Sequence, residues 1–140
     1  MSAPSEKFIL GAGLTQKFFG EEIFNKIRSE SRDDRPTQIA SEYIAEVCFS
    51  SYNRPGLEFK DRSMVNIAML VALNRPPELR LHIRTALYNG LSEEQICEIC
   101  RHAMIYCGVP AGRDALKIAS DVFDEVKQAE AQKHPRAKLT

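Results

Sequence analysis

The chain has 140 residues, of which 44% are hydrophobic and 27% charged. That composition fits one ordinary globular domain with enough apolar material for a single core, and it excludes a disordered chain. Nineteen basic and nineteen acidic side chains give a formal net charge of zero, so neither nucleic acid nor an anionic membrane is an expected partner.

Met1–Lys7 is polar and lacks the apolar core of a signal peptide. Residues 1–14 read as an N-terminal arm. The apolar run Ile67–Leu73 is too short to span a bilayer. Four cysteines without a secretory signal predict free thiols and a cytoplasmic protein. The whole chain reads as one domain over residues 1–140, with its core over about 15–130 and a polar tail over 131–140.

Six helices are predicted. The first runs from about Thr15 to Glu30, because Phe18, Phe19, Ile23, Phe24 and Ile27 recur at helical spacing. The second, about Thr37 to Ser51, carries the stripe Ile39, Tyr43, Ile44, Val47 and Cys48, and stops before the breaker Asn53-Arg54-Pro55-Gly56. The third opens at Asp61, a good N-cap. Its second half is apolar all round, which predicts either the buried centre of the bundle or a face covered by another subunit. Arg75-Pro76-Pro77 ends it, and the fourth helix runs from about Pro77 to Tyr88 with Leu79, Ile83, Ala86 and Leu87 inward. Ser92-Glu93-Glu94-Gln95 is a capping box that starts the fifth helix. Ile96, Cys100, Ala103, Met104 and Cys107 share its face, and Gly108 stops it. The sixth runs from about Pro110 to Ala129 on the stripe Ala115, Ile118, Ala119, Val122 and Val126. No segment alternates like a strand, so the fold class is all-α.

Few residues carry chemistry. Cys97-x-x-Cys100 lies more than a turn inside its helix, with Cys100 on the apolar stripe, and reads as core cysteine rather than a redox dithiol. No metal site is expected, because Cys97, Cys100, His102 and Cys107 sit on one helix and cannot surround an ion. His82 lies beside the apolar face of the fourth helix, with Glu78 one turn before it. A carboxylate there can orient the imidazole and raise its pKa, which suits acid–base work; a half-buried histidine in a surface ion pair fits the same spacing. Arg62, Arg75, Arg80 and Arg84 surround this helix, and arginine forks bind carboxylates in a bidentate way.

Several words in fixed order add to this reading. Arg54-Pro-Gly-Leu57, Asp61-Arg-Ser-Met-Val-Asn-Ile-Ala-Met-Leu-Val-Ala-Leu-Asn-Arg75 and Glu78-Leu-Arg-Leu-His-Ile-Arg84 come first. Asn89-Gly90, Ser92-Glu-Glu and Tyr106-Cys-Gly-Val-Pro110 follow. Together they resemble the 4-carboxymuconolactone decarboxylase family, over roughly Phe18 to Phe123. The resemblance implies a six-helix alkyl hydroperoxidase D-like bundle and a homo-oligomer, a trimer or hexamer. It also implies a lyase that needs no cofactor and removes carbon dioxide from a small carboxylated lactone to give an enol-lactone.

On that resemblance His82 is the expected proton donor, oriented by Glu78. Arg62, Arg80 or Arg84 would grip a substrate carboxylate, and Tyr106 would hydrogen-bond the ring or its carbonyl. The peroxidase relatives carry a Cys-x-x-Cys before their helical histidine. Aligned on His82, those positions are Arg75 and Glu78, which argues against a thiol peroxidase. Members acting on the aromatic-pathway lactone carry a Trp-Gly-Glu-x-Trp-like segment before Arg-Pro-Gly-Leu. This chain has Cys48-Phe49-Ser50-Ser51-Tyr52 there, with Ser50 in the glutamate's place. A lyase or isomerase acting on a different cyclic acid, or a non-catalytic ligand-binding module on the same scaffold, therefore stays open.

Overall fold

A computed structural model describes residues 2–135, and these form seven α-helices with no strand among them. Two compact units divide the chain, one up to Phe59 and one from Lys60.

In the first unit the expected arm is largely helix. Helix α1 spans Glu6–Phe19, and the Ser5 side chain caps it by accepting from the Phe8 N–H. An acid follows at Glu6, where the helix dipole favours it. The single helix expected from Thr15 to Glu30 is in fact two, because Gly20 adopts φ 81°. That left-handed value cannot continue a right-handed helix, and glycine reaches it without steric cost. Helix α2 then spans Glu21–Glu30. Helix α3 spans Arg35–Tyr43, capped by the Asp34 carboxylate on the Thr37 N–H, with Pro36 in its first turn. It passes into a π-helical turn, Ile44–Phe49, and a 3₁₀ turn, Ser50–Asn53. The Ser50 and Ser51 hydroxyls donate to the Glu46 and Val47 carbonyls, as hydroxyls do where helices distort.

The predicted stripe Ile39, Tyr43, Ile44, Val47 and Cys48 is exposed in the single chain, and Ala45 and Phe49 are buried instead. Phe49 joins an aromatic cluster around the fully buried Phe18, with ring centroids of Phe19, Phe49, Tyr52 and Phe59 at 5.1, 5.8, 5.0 and 5.5 Å from it. The first pair and the last two meet edge-on, the arrangement ring quadrupoles favour. Gly11 of α1 lies so close to the Ala45 backbone that a Cβ would overlap the Ala45 carbonyl.

The second unit holds α4, which begins at Phe59 and ends at Ala72, then α5 (Pro76–Tyr88), α6 (Glu93–Cys107) and α7 (Val109–Lys133). The capping box is present as expected, with Ser92 accepting from the Gln95 N–H and the Gln95 side chain accepting from the Ser92 N–H. Leu79, Ile83, Ala86, Ile96, Cys100, Ala103, Ala115, Ala119 and Val122 form the core with Ile67 and Val71. Those inward faces agree with the periodicity, except that Cys107 is exposed. Helix α4 is not the buried centre of this chain. Ile67 and Val71 face the core, while Met64, Val65, Met69 and Leu73 are exposed. Helix α7 runs past the expected end at Ala129 to Lys133, and the polar tail beyond Pro135 lies outside the described residues. No described helix is long and apolar enough to cross a membrane.

Candidate active site

Helix α5 carries the predicted site, and the elbow before it explains how the site is aimed. Helix α4 closes with the Asn74 N–H on the Val71 carbonyl (3.2 Å) and the Arg75 N–H on the Leu70 carbonyl (3.2 Å). That pair of bonds is a Schellman motif, with Asn74 at φ 53° in the left-handed position that asparagine tolerates. Pro76 and Pro77 occupy the first turn of α5. They lack N–H groups where no intrahelical partner exists, and their fixed φ presets the helix.

Arg75 therefore stands at the N-terminus of α5, and its guanidinium Nη2 lies 2.8 Å from Glu78 Oε1. This hydrogen bond, followed by one from Glu78's own backbone N–H, holds the carboxyl below its usual range. A carboxylate in the first turn also sits at the positive end of the helix dipole. Glu78 Oε2 is buried and has no hydrogen-bond partner among the described residues.

His82 follows one turn later on the same side of α5, and it is half-buried. Burial lowers its pKa to about 4, and the Glu78 charge raises it only in part. The expectation that Glu78 makes this histidine more basic than usual is thus corrected. The carboxylate acts in the expected direction, but desolvation of the imidazolium outweighs it. The resting imidazole is neutral near pH 7.

The arginines separate. Arg80 is ion-paired with Glu125 of α7. Arg84, one turn on, and Arg62, in the first turns of α4, are both half-buried. Tyr106 lies near the end of α6, is 81% exposed, and has its ring 5.7 Å from that of His102. In the sequence Arg75 is one of several cations near this helix, and its place three residues before Glu78 is the signal for the pair. A second polar feature carries no local sequence signal: Asn89 donates to the fully buried Ser63 hydroxyl at 3.0 Å, tying the end of α5 to α4.

The four cysteines are free thiols. Cys97 and Cys100 are reduced on α6, and burial pushes both thiols up, Cys100 to about 11. Nucleophilic thiols need the opposite shift. No group of three or more histidine, cysteine or acidic side chains is placed to hold a metal ion among the described residues.

Comparison with known proteins places this helix in a shared context. The family model described as the carboxymuconolactone decarboxylase family matches residues 40–121, which include the elbow, Glu78 and His82. A protein of Acinetobacter baylyi named 4-carboxymuconolactone decarboxylase is 40% identical over 122 residues, covering 86% of this chain and 90% of that protein. A Metarhizium robertsii protein named nitrosuccinic acid decarboxylase is 31% identical over 116 residues, covering 82% of this chain and 79% of that one.

Proposed function

Because the chain belongs to the carboxymuconolactone decarboxylase family, we propose that it is a cofactor-independent carboxy-lyase that removes carbon dioxide from a small carboxylated lactone such as 4-carboxymuconolactone. The observation that carries the reading is the Glu78–His82 pair, one turn apart on a helix whose start is fixed by the Asn74–Pro77 elbow. The two named relatives support the substrate class. In a carboxymuconolactone the electrons left by departing carbon dioxide flow through the ring double bond into the lactone carbonyl. In nitrosuccinate the nitro group takes them. Each substrate carries its own electron sink, so the protein has to bind the anion and supply one proton.

His82 is the proton donor on this reading. A neutral imidazole is a weak acid, but an anionic substrate favours the imidazolium. Binding then brings in the proton that the reaction consumes: the carbon–carboxylate bond breaks, carbon dioxide leaves, and the carbanion equivalent takes the His82 proton. Glu78 orients the ring and stabilises its charge. Arg62, Arg80 or Arg84 grips a substrate carboxylate, and Arg80 would have to share its guanidinium with Glu125. Tyr106 hydrogen-bonds the lactone ring or carbonyl.

The family match crosses the division at Phe59, which favours treating the chain as one functional domain. The exposed apolar stripes on α3, the π turn and α4 favour a homo-oligomer, a trimer or hexamer, since uncovered patches of this kind usually become interfaces. Light scattering at micromolar concentration tests this, and a monomer would reject it.

The direct test measures carbon dioxide release from freshly generated 4-carboxymuconolactone and from nitrosuccinate. His82→Ala should lower turnover roughly 10²–10⁴-fold, the usual worth of a positioned acid, with an unchanged helical spectrum. A fully active His82→Ala protein would remove His82 from the mechanism. A folded wild-type chain inert on both acids would favour a ligand-binding module, or a lyase or isomerase specific for another cyclic acid. The second outcome has a motive in the segment Cys48–Tyr52, whose Phe49 and Tyr52 are packed against Phe18.

A further inference from the structure

Arg75 has no role in the chemistry just described, yet its guanidinium donates to the site's carboxylate at 2.8 Å. The backbone from which it leaves is fixed on both sides. The Schellman closure of α4 fixes Asn74 and Arg75, and Pro76 and Pro77 fix the turn that follows. A long side chain leaving such a fixed backbone reaches Glu78 Oε1 one turn ahead. The partner oxygen, Oε2, is left buried and unbonded among the described residues, although the Glu78 side chain as a whole is 43% exposed. A carboxylate with that much exposure would ordinarily turn both oxygens to water.

We propose that Arg75 is a positioning residue of the Glu78–His82 site: by holding Glu78 Oε1 from the rigid α4–α5 elbow, it keeps Oε2 out of solvent on the His82 side of α5. The inference rests on the decarboxylase reading for its kinetic consequence, but not for the contact itself. Arg75 does not touch substrate. It keeps in place the charge that lifts His82 against the cost of its burial. Without it the carboxylate swings into water, where its field on the imidazole is screened. His82 then carries the proton less often in the substrate complex, and the loss falls on turnover rather than on substrate binding.

The experiment uses the full chain with 4-carboxymuconolactone as substrate. Arg75→Ala should lower kcat about 10- to 100-fold, the effect of misplacing a catalytic group by about 1 Å, with KM nearly constant. Arg75→Lys, which keeps the cation, should restore most of the rate. In a Glu78→Ala background, Arg75→Ala should change nothing further, because the two residues act as one. Arg75 is an exposed side chain, and Arg75→Gln serves as a second variant should the alanine protein misfold. A rise in KM with kcat unchanged, or a full Arg75→Ala effect in the Glu78→Ala background, would overturn the proposal in favour of direct substrate contact. Should the wild-type chain not turn over at all, that failure belongs to the decarboxylase reading, and the contact is read by carbon-13 titration of the Glu78 carboxyl. It should titrate higher in Arg75→Ala than in wild type; an unmoved carboxyl overturns the proposal.

Discussion

Arg80 on α5 is ion-paired with Glu125 on α7, a contact that spans 45 positions of sequence and joins two helices of the second unit. Both side chains are nearly half exposed, and exposed pairs contribute little to stability. Arg80→Ala and Glu125→Ala should each cost under about 1 kcal/mol in urea unfolding. One of Arg62→Ala, Arg80→Ala and Arg84→Ala should raise KM, and no KM effect at any of the three would remove these arginines from substrate binding.

A stability profile against pH reports on His82 with a definite sign. Its folded pKa is depressed, from 6.5 to about 4. Above pH 6.5 both folded and unfolded chains hold the ring neutral. As pH falls below that value the unfolded chain takes up a proton that the folded chain refuses until about pH 4. Stability attached to the neutral ring is therefore lost across that window. Urea midpoints should fall from pH 6.5 to pH 4, and His82→Gln should flatten that part of the curve. Glu78 and Asp34, both held below their ordinary values of 4.5 and 3.8 by hydrogen bonds, act at more acidic pH. Their contributions are present above those values and disappear as pH falls further.

Gly11→Ala should be costly for a reason unconnected with helix propensity. The added methyl meets the Ala45 backbone carbonyl, which cannot rotate aside as a side chain can. Overpacking of this kind costs about 1–3 kcal/mol, read as a drop in denaturation midpoint. Gly13→Ala, two residues on and open to solvent, is the control and should be neutral or slightly stabilising.

Thiol labelling separates the cysteines. Cys107 is exposed, whereas Cys100 is fully buried with its thiol pushed up to about 11. An alkylating reagent at neutral pH should modify Cys107 promptly and Cys100 only on unfolding. The Cys97→Ser, Cys100→Ser double variant should keep its decarboxylation rate. Loss of activity in a folded double variant would revive the thiol-dependent alternative.

Local signals in the sequence were reliable where the deciding contacts are local. Ser92 and Gln95 cap the helix by bonding to each other, and the Pro76–Pro77 start of α5 needs no partner at all, so both are readable in the sequence. The Glu78–His82 register follows from helix geometry alone. Gly20 looked like one glycine inside a periodic stripe, because spacing does not reveal φ. The start of α1 was hidden by Gly11 and Gly13, poor helix formers; Gly11 is present because Ala45, thirty-four residues away, packs against it. The stripe on Ile39, Tyr43, Ile44 and Val47 is apolar as the spacing predicts yet exposed in the single chain, since periodicity finds a face and not what covers it. The direction of the His82 shift is hidden from the sequence for a related reason. Sequence spacing gives the carboxylate neighbour but not the degree of desolvation, and here desolvation is the larger effect.

The elbow also limits how this chain can change over time. Each residue of an α-helix turns the next by about 100°. With the turn closed on Leu70 and Val71 on one side and locked by Pro76 and Pro77 on the other, it has no slack to absorb an added or deleted residue. A single-residue insertion between Asn74 and Glu78 would separate Arg75 from its carboxylate or swing His82 about a quarter-turn away. Length at this junction should therefore be inherited unchanged even where neighbouring loops grow and shrink.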